Sequence, residues 1–195
     1  MEIECIKESA FNKEKSFKIA FNEILKINNP TILEIGSTIE EVESGAENSS
    51  PLFAWFVKKY GGCFITCDIV PEHTNLCQKL IMRYRIGNNI NCVTMDGLEY
   101  IQTWPDESLD MIYLDSMNAN PDDYRKAALH NLYLCKVAIN KIKPNGIIII
   151  DDVFDIDTYE GKGLLVIPYL IKKNFKCLFK GNQFVFKNIK EELNE

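Results

Sequence analysis

The sequence predicts an α/β fold built on a doubly wound parallel sheet. Two observations carry this expectation. Short apolar, β-branched runs alternate along the chain with stretches of helical periodicity. Several of those runs also end in an acidic residue, or run directly into one. In open α/β sheets the ligand crevice lies at the carboxyl ends of the strands, so acids gathered there point to a binding site.

The organising stretch is Thr31-Ile32-Leu33-Glu34-Ile35-Gly36, opened by Pro30. Its near-continuous apolar character suits a strand buried on both faces. Gly36 permits a sharp turn or the close approach of a ligand. Before it, Ser16 to Ile27 has helical spacing, with Ser16 as a candidate N-cap. Residues 1–15 read as an appendage. Ser37 to Pro51 is a long polar loop, and Ser50-Pro51 before Leu52-Phe53-Ala54-Trp55-Phe56-Val57 reads as a helix start. Ser50 would either cap that helix or help its amide groups hold an anionic group.

Cys63 to Cys67 is the second strand and ends in Asp68. An acid there can accept hydrogen bonds from ribose hydroxyls, and it can also cap the next helix. A helix over Asn75 to Tyr84 and a strand over Ile90 to Thr94 follow, and then Asp96-Gly97. Asp96 would contact an adenine amino group, cap the helix at Leu98, or do both. Leu109 to Leu114 is the fourth strand and ends in Asp115. A helix from about Asp122 to Lys143, a turn over Lys143-Pro144-Asn145-Gly146, and a strand over Ile147 to Ile150 lead to Asp151-Asp152. A helix over Gly163 to Lys172 precedes a hairpin, Phe175 to Phe179 and Gln183 to Phe186, turning on Gly181-Asn182. Residues 188–195 form a charged tail.

Composition narrows the function classes. The chain has 195 residues, 46% hydrophobic and 26% charged, which suits one domain with a sizeable core. Net charge is −6, with no dense Lys/Arg cluster, so nucleic acid is not expected as a partner. Apolar runs such as Ile147 to Ile150 are too short for a membrane span, and the acidic N-terminus lacks a signal-peptide pattern. The seven cysteines are scattered with no CxxC pair, which argues against a zinc site or disulfide framework and for a reducing, cytoplasmic location. His73 and His130 read as surface or packing residues.

Asp115, Asp151 and Asp152 end neighbouring strands. Carboxylates packed together repel unless a cation joins them. A hard divalent ion such as Mg²⁺, which takes oxygen ligands, is one answer; helix capping and loop holding are another.

Taken together, Leu33-Glu34-Ile35-Gly36, Phe64 to Asp68, Thr94-Met95-Asp96-Gly97, Asp110 to Asp115, Lys143 to Asp152 and the closing Gly181-Asn182-Gln183-Phe184-Val185-Phe186 hairpin resemble class I S-adenosylmethionine-dependent methyltransferases. The resemblance is to the small O-methyltransferases of the catechol and caffeoyl-coenzyme A type and to similar bacterial sugar and natural-product enzymes. It covers about residues 16–187. It implies a three-layer Rossmann-like sheet of seven strands with the last one antiparallel, and binding of S-adenosyl-L-methionine. It places Glu34 and Gly36 along the methionine part, Asp68 at the ribose and Asp96 near the adenine, with Gly97 beside it. It sets Asp115, Asp151 and Asp152 at the metal-ligand positions, Asp152 standing where Asn is common. Ser50 and Asp115 complete the cofactor set, and Asp115 is also the candidate catalytic residue.

The sequence departs from the family in three ways, one being that no acceptor-binding region is recognisable. The usual glycine-rich stretch is reduced to Gly36, with Gly45 and Ser49-Ser50 as substitutes. The lysine base of the catechol enzymes has no counterpart after Asp115, where Asn118 stands. The expected function is methyl transfer to a hydroxyl of a small-molecule acceptor, with a metal orienting the acceptor oxygen. The rivals are a non-catalytic binding module of the same fold and a nicotinamide enzyme, the latter opposed by the lack of GxGxxG. A homodimer through the N-terminal helix is a further expectation.

Overall fold

The computed structural model describes residues 13–39, 49–83 and 89–189. Most of the expected appendage with Cys5, the loop centre with Gly45, Tyr84 and the end of the tail lie outside the described residues.

The elements run α1 (Glu14–Ile24), β1 (Thr31–Ile35), α2 (Ser49–Tyr60), β2 (Cys63–Asp68), α3 (Pro71–Arg83), β3 (Ile90–Thr94), α4 (Gly97–Gln102), β4 (Leu109–Leu114), α5 (Arg125–Lys141), β5 (Ile142–Ile150), α6 (Gly163–Lys172), β6 (Lys176–Lys180) and β7 (Phe184–Lys187). They form one seven-stranded sheet in the order β3-β2-β1-β4-β5-β7-β6. Strands β1 to β5 pair in parallel, whereas β7 is antiparallel to both β5 and β6. The strand order reverses between β1 and β4, which opens a crevice at their carboxyl ends.

Period-two alternation divides the central strands between two cores. Ile32, Met111, Tyr113, Ile147 and Ile149 face one side, where they meet Phe17, Phe21, Phe53 and Phe56 of α1 and α2. Leu33, Ile35, Ile112, Leu114, Ile148 and Ile150 face the other, against Leu134, Ala138, Val166 and Ile167 of α5 and α6. Each fully buried side chain of this size contributes roughly 1.5–3 kcal/mol of transfer free energy. Phe21 and Phe56 stack with ring centroids 4.4 Å apart. The apolar face of α1, where a dimer contact is expected, is thus buried in the chain's own core.

Several element boundaries differ from the expectation. Helix α1 begins at Glu14, and Ser16 does not cap it: the Ser16 hydroxyl lies inside the helix, 2.7 Å from the Lys13 carbonyl oxygen. Helix α2 already includes Ser49 and Ser50, so Ser50 is not its cap. Helix α5 starts only at Arg125, because the Asn120 side chain accepts from the Asp122 and Asp123 amides and holds a turn there. Strand β5 absorbs the expected turn at Lys143 to Gly146. A register irregularity opposite Leu109 to Met111 and a left-handed Asn145 (φ 65°) accommodate it. Asn188 is buried and its amide donates to the Gly146 carbonyl at 2.9 Å, so the ordered fold reaches one residue into the expected tail.

Candidate functional site

A cleft of about 460 Å³ opens where β1, β2, β4 and β5 end. Gly36 to Ile39 supply one wall, Asp68 to Val70 and His73 another, and Asp115, Met117, Asn118, Asp151 and Asp152 the floor and far side. Lys13 and Ser49 complete the lining.

Gly36 sits at φ +99°, and a Cβ there would stand 2.4 Å from the Asp115 carbonyl oxygen. Its glycine is therefore required by the turn and by the close packing of the β1 end against the β4 end. The Asp115 amide donates to the Ile35 carbonyl at 2.9 Å and the Gly36 amide to the Cys67 carbonyl at 2.8 Å. The three strand ends that build the cleft are thereby locked together.

Asp68 is the organiser of the β2 side. Its carboxylate accepts from the Ser37 amide at 2.9 Å and from the Val70 amide at 2.8 Å, and His73 Nδ1 lies 3.1 Å from it. A carboxylate has about four acceptor sites, so one direction is left for a ligand. His73, expected from the sequence to be a surface or packing residue, belongs to this wall.

Glu34 is wholly buried and does not line the cleft. It accepts from the Ser49 hydroxyl and, at 2.5 Å, from the Ser50 hydroxyl. Burial is the dominant influence and pushes its pKa up to about 8, against the opposing hydrogen bonds from Ser49, Ser50 and Thr66. Ser50 Oγ in turn accepts from the Thr38 amide at 3.2 Å, which ties the start of α2 to the turn after β1. Ser50 too is absent from the lining. Asp96 and Gly97 stand at the start of α4 and do not line the cleft, although the Met95 amide before them donates to the Asp68 carbonyl at 3.0 Å. Asp96 accepts from the Leu98 and Glu99 amides as a helix cap. A Cβ on Gly97 would come 2.4 Å from Ile35 Cγ2, so this glycine is required by packing.

The floor carries the strongest electrostatics. Asp151, only 1% exposed, accepts from Lys13 Nζ at 2.8 Å, from the Tyr113 hydroxyl, and from the Asp152 amide at 2.8 Å. Burial raises its pKa, but the Lys13 and Lys162 ammoniums outweigh that and hold the carboxyl below its ordinary range. Tyr113 also accepts from Gln183 Nε2 at 3.0 Å, and Gln183 Oε1 lies 2.5 Å from Ser16 Oγ, so a buried polar chain links α1 to β7 through the floor. Asp115 is pushed up to about 7, by burial first and by the Asp151 carboxylate second.

Lys162 is 1% exposed, with Nζ 2.5 Å from Asp115 Oδ1 and 2.8 Å from Asp152 Oδ2. Sequence patterning singles out neither this lysine nor Lys13. The one local signal is the setting of Lys162, between Gly161 and Gly163 just before an apolar helix.

The three aspartates expected at a metal site have other partners here. The carboxylates of Asp115, Asp151 and Asp152 are directed at two ammonium groups and a phenol, and no group of side chains among the described residues is arranged to hold a metal ion. Divalent ions of the magnesium type need converging oxygen ligands, and here an ammonium stands between the Asp115 and Asp152 carboxylates. The residues present therefore do not fit Mg²⁺.

Among the described residues no helix is long and apolar enough to cross a membrane. The six described cysteines are all free thiols.

No protein-family model matches the sequence, and no curated protein matches it. Solved structures do share its fold. A protein from Corynebacterium glutamicum superposes with a TM-score of 0.65 at 10% identity, over 93% of this chain and 84% of that one. A methyltransferase from Geobacter sulfurreducens gives 0.59 at 9% identity, over 91% and 79%. An O-methyltransferase from Bacillus cereus in complex with SAH gives 0.58 at 16% identity, over 91% and 81%. The chain has the seven-stranded, Rossmann-like fold of S-adenosylmethionine-dependent methyltransferases.

Proposed function

We propose that this chain is an S-adenosylmethionine-dependent methyltransferase that moves a methyl group to a hydroxyl of a small molecule. The observation that carries this reading is the placement of Asp68 and Asp115 in one cleft. They end the two strands that flank β1, on either side of the Gly36 turn.

The site's chemistry supports the cofactor. The cleft volume lies within the roughly 300–1,000 Å³ common for small-molecule sites. Its ionisable lining is Asp68, Asp115, Asp151 and Asp152 against Lys13 and His73, an acidic balance that suits a ligand with a sulfonium and an ammonium. Thr38 lines the cleft, and its buried Oγ1 has no hydrogen-bond partner among the described residues. Thr38, the remaining acceptor direction of Asp68 and the Gly36 turn would hold the cofactor. When bound, it supplies a methyl group on a sulfonium, whose leaving sulfur needs no protein nucleophile.

Asp115 faces the cleft with 28% of its side-chain surface exposed. A carboxyl raised to about 7 is matched to accepting a hydroxyl proton near neutrality. In this reading Asp115 takes that proton as the oxygen–methyl bond forms, and the electron pair of the breaking carbon–sulfur bond stays on sulfur. Met117, Asn118 and Ile39 at the cleft edge would face the acceptor.

The rival, a non-catalytic binding module, draws on one observation: Ser49 and Ser50 engage both Glu34 oxygens, which leaves that acid no contact with the cleft. Incubation with methyl-labelled cofactor and a panel of catechols, sugars and other hydroxylated acceptors separates the two. A labelled methyl ether supports the enzyme. SAH binding without transfer to any acceptor supports a binding module, and failure to bind SAH or the cofactor removes the enzyme and leaves an interaction module.

A further inference from the structure

We propose that Lys162 is the resident cation of this cleft: its ammonium takes the place between the β4-end and β5-end carboxylates that a divalent ion would need, so the chain binds its cofactor without a metal. The inference rests on the methyltransferase reading only for the identity of that cofactor.

Three observations carry it. The first is geometric. One ammonium bridges Asp115 and Asp152 at 2.5 and 2.8 Å, while Lys13 takes Asp151 at 2.8 Å. One oxygen of each of the two carboxylates that face the cleft from different strands is therefore committed to the same nitrogen. A metal would have to strip them from it and leave a buried ammonium unpaired, which is costly.

The second is that the backbone builds the lysine in. Asp152 adopts φ 48° and Gly161 φ 97°. The intervening loop closes on itself: the Phe154 amide donates to the Glu160 carbonyl at 2.8 Å and the Lys162 amide to the Asp152 carbonyl at 3.0 Å. A Cβ on Gly161 would stand 2.0 Å from the Asp152 carbonyl oxygen, so only glycine lets the chain return this closely and deliver the next residue under the strand ends.

The third is that the local backbone and burial disfavour a cation there. Lys162 is the residue from which α6 starts, where the helix dipole opposes positive charge. Burial also disfavours a charged group here, and the ammonium is held by its contacts to the Asp115 and Asp152 carboxylates. A lysine held against both burial and the dipole is seated by those carboxylates. With Lys13 and Lys162 in place, three carboxyl groups stand against two ammoniums, and the floor has no open oxygen cage.

Lys162 is a positioning residue in this scheme, since it does not line the cleft. The test is manganese binding to the full chain after chelator treatment, read from the loss of the free-ion electron paramagnetic resonance signal. No binding up to millimolar Mn²⁺ is expected, and a one-to-one site overturns the proposal. The variant Lys162→Met should gain Mn²⁺ affinity by at least about tenfold over wild type, whereas Lys162→Arg should stay metal-blind. A folded Met variant that gains nothing contradicts the proposal; if that variant fails to fold, the wild-type titration decides alone. SAH binding that appears only with Mn²⁺ overturns this inference and leaves the methyltransferase reading intact. Absence of both Mn²⁺ and SAH binding removes the cofactor assignment while the resident-cation claim stands.

Discussion

Lys13 and Asp151, 138 positions apart, meet as an ion pair at 2.8 Å on the floor of the cleft. The pair fastens the start of α1 to the end of β5, next to the Tyr113 hydroxyl on the same carboxylate. Removing the ammonium leaves a buried carboxylate short of its partner. Because Lys13 is 29% exposed, water recovers part of the loss, and Lys13→Met should cost about 1–3 kcal/mol. For a chain of this size that lowers the melting temperature by roughly 3–10 °C. Thermal unfolding of Lys13→Met, Asp151→Asn and the double variant checks it. The double variant should be less destabilised than the sum of the singles; strict additivity would mean the two groups do not interact.

Gly36→Ala places a Cβ 2.4 Å from the Asp115 carbonyl oxygen at a left-handed φ of 99°. Strain and clash together should cost at least ~2 kcal/mol. The shift moves the β1 turn that lines the cleft, so SAH affinity should fall as well. Denaturant unfolding and SAH titration on the same preparation read both effects. Wild-type stability in the variant would show that the turn opens freely.

Glu34 makes a pH dependence with a defined sign. Its pKa rises from 4.5 unfolded to about 8 folded, with burial as the leading cause. Between those values the unfolded chain releases a proton that the folded chain keeps, so stability contributed here is full below about 4.5 and falls as pH rises toward 8. Each tenfold difference in proton affinity is worth ~1.4 kcal/mol, so the loss is on the order of several kcal/mol. Asp115, raised to about 7, adds a loss of the same sign, whereas Asp151, whose pKa is lowered, loses stability only in acid. The difference between wild type and Glu34→Gln isolates Glu34. The wild type should lose stability relative to the Gln variant from pH 5 to 8, and parallel curves would contradict an elevated Glu34 pKa.

Asp68→Asn keeps an acceptor for the Ser37 amide but withdraws the charge and the oxygen that accepts from the Val70 amide. SAH binding should weaken tenfold or more, the loss of about one charged hydrogen bond, and the Val70 amide left without its acceptor should cost about 1–3 kcal/mol of stability. An unchanged affinity would place the ribose elsewhere.

Much of this architecture was legible in the chain. The β-branched runs at Ile32 to Ile35 and Ile147 to Ile150 announce strands buried on both faces, and the acids that close them do cluster: Asp68, Asp115, Asp151 and Asp152 share one cleft. What escaped is tertiary. The Lys143 to Gly146 stretch has turn chemistry, yet the pairing of Ile142 and Ile147 with β4 on either side of it and its own contact with Asn188 draw it toward the sheet. Glu34 has the right strand but spends its oxygens on Ser49 and Ser50, hydroxyls delivered by a helix that starts earlier than Pro51 suggests. The counter-ions of the acid cluster come from Lys13 and Lys162. Neither is adjacent in sequence to the acids it neutralises, so an acidic trio reads as a metal site until the fold brings the ammoniums in.

Calorimetric titration of the full chain with SAH, in the presence of chelator and again with Mg²⁺, tests the central claim most directly. One site per chain of micromolar strength, unchanged by Mg²⁺ and lost in Asp68→Ala, is the expected result. No heat under either condition, with the chain folded by circular dichroism, would contradict a cofactor cleft at the ends of β1, β2 and β4.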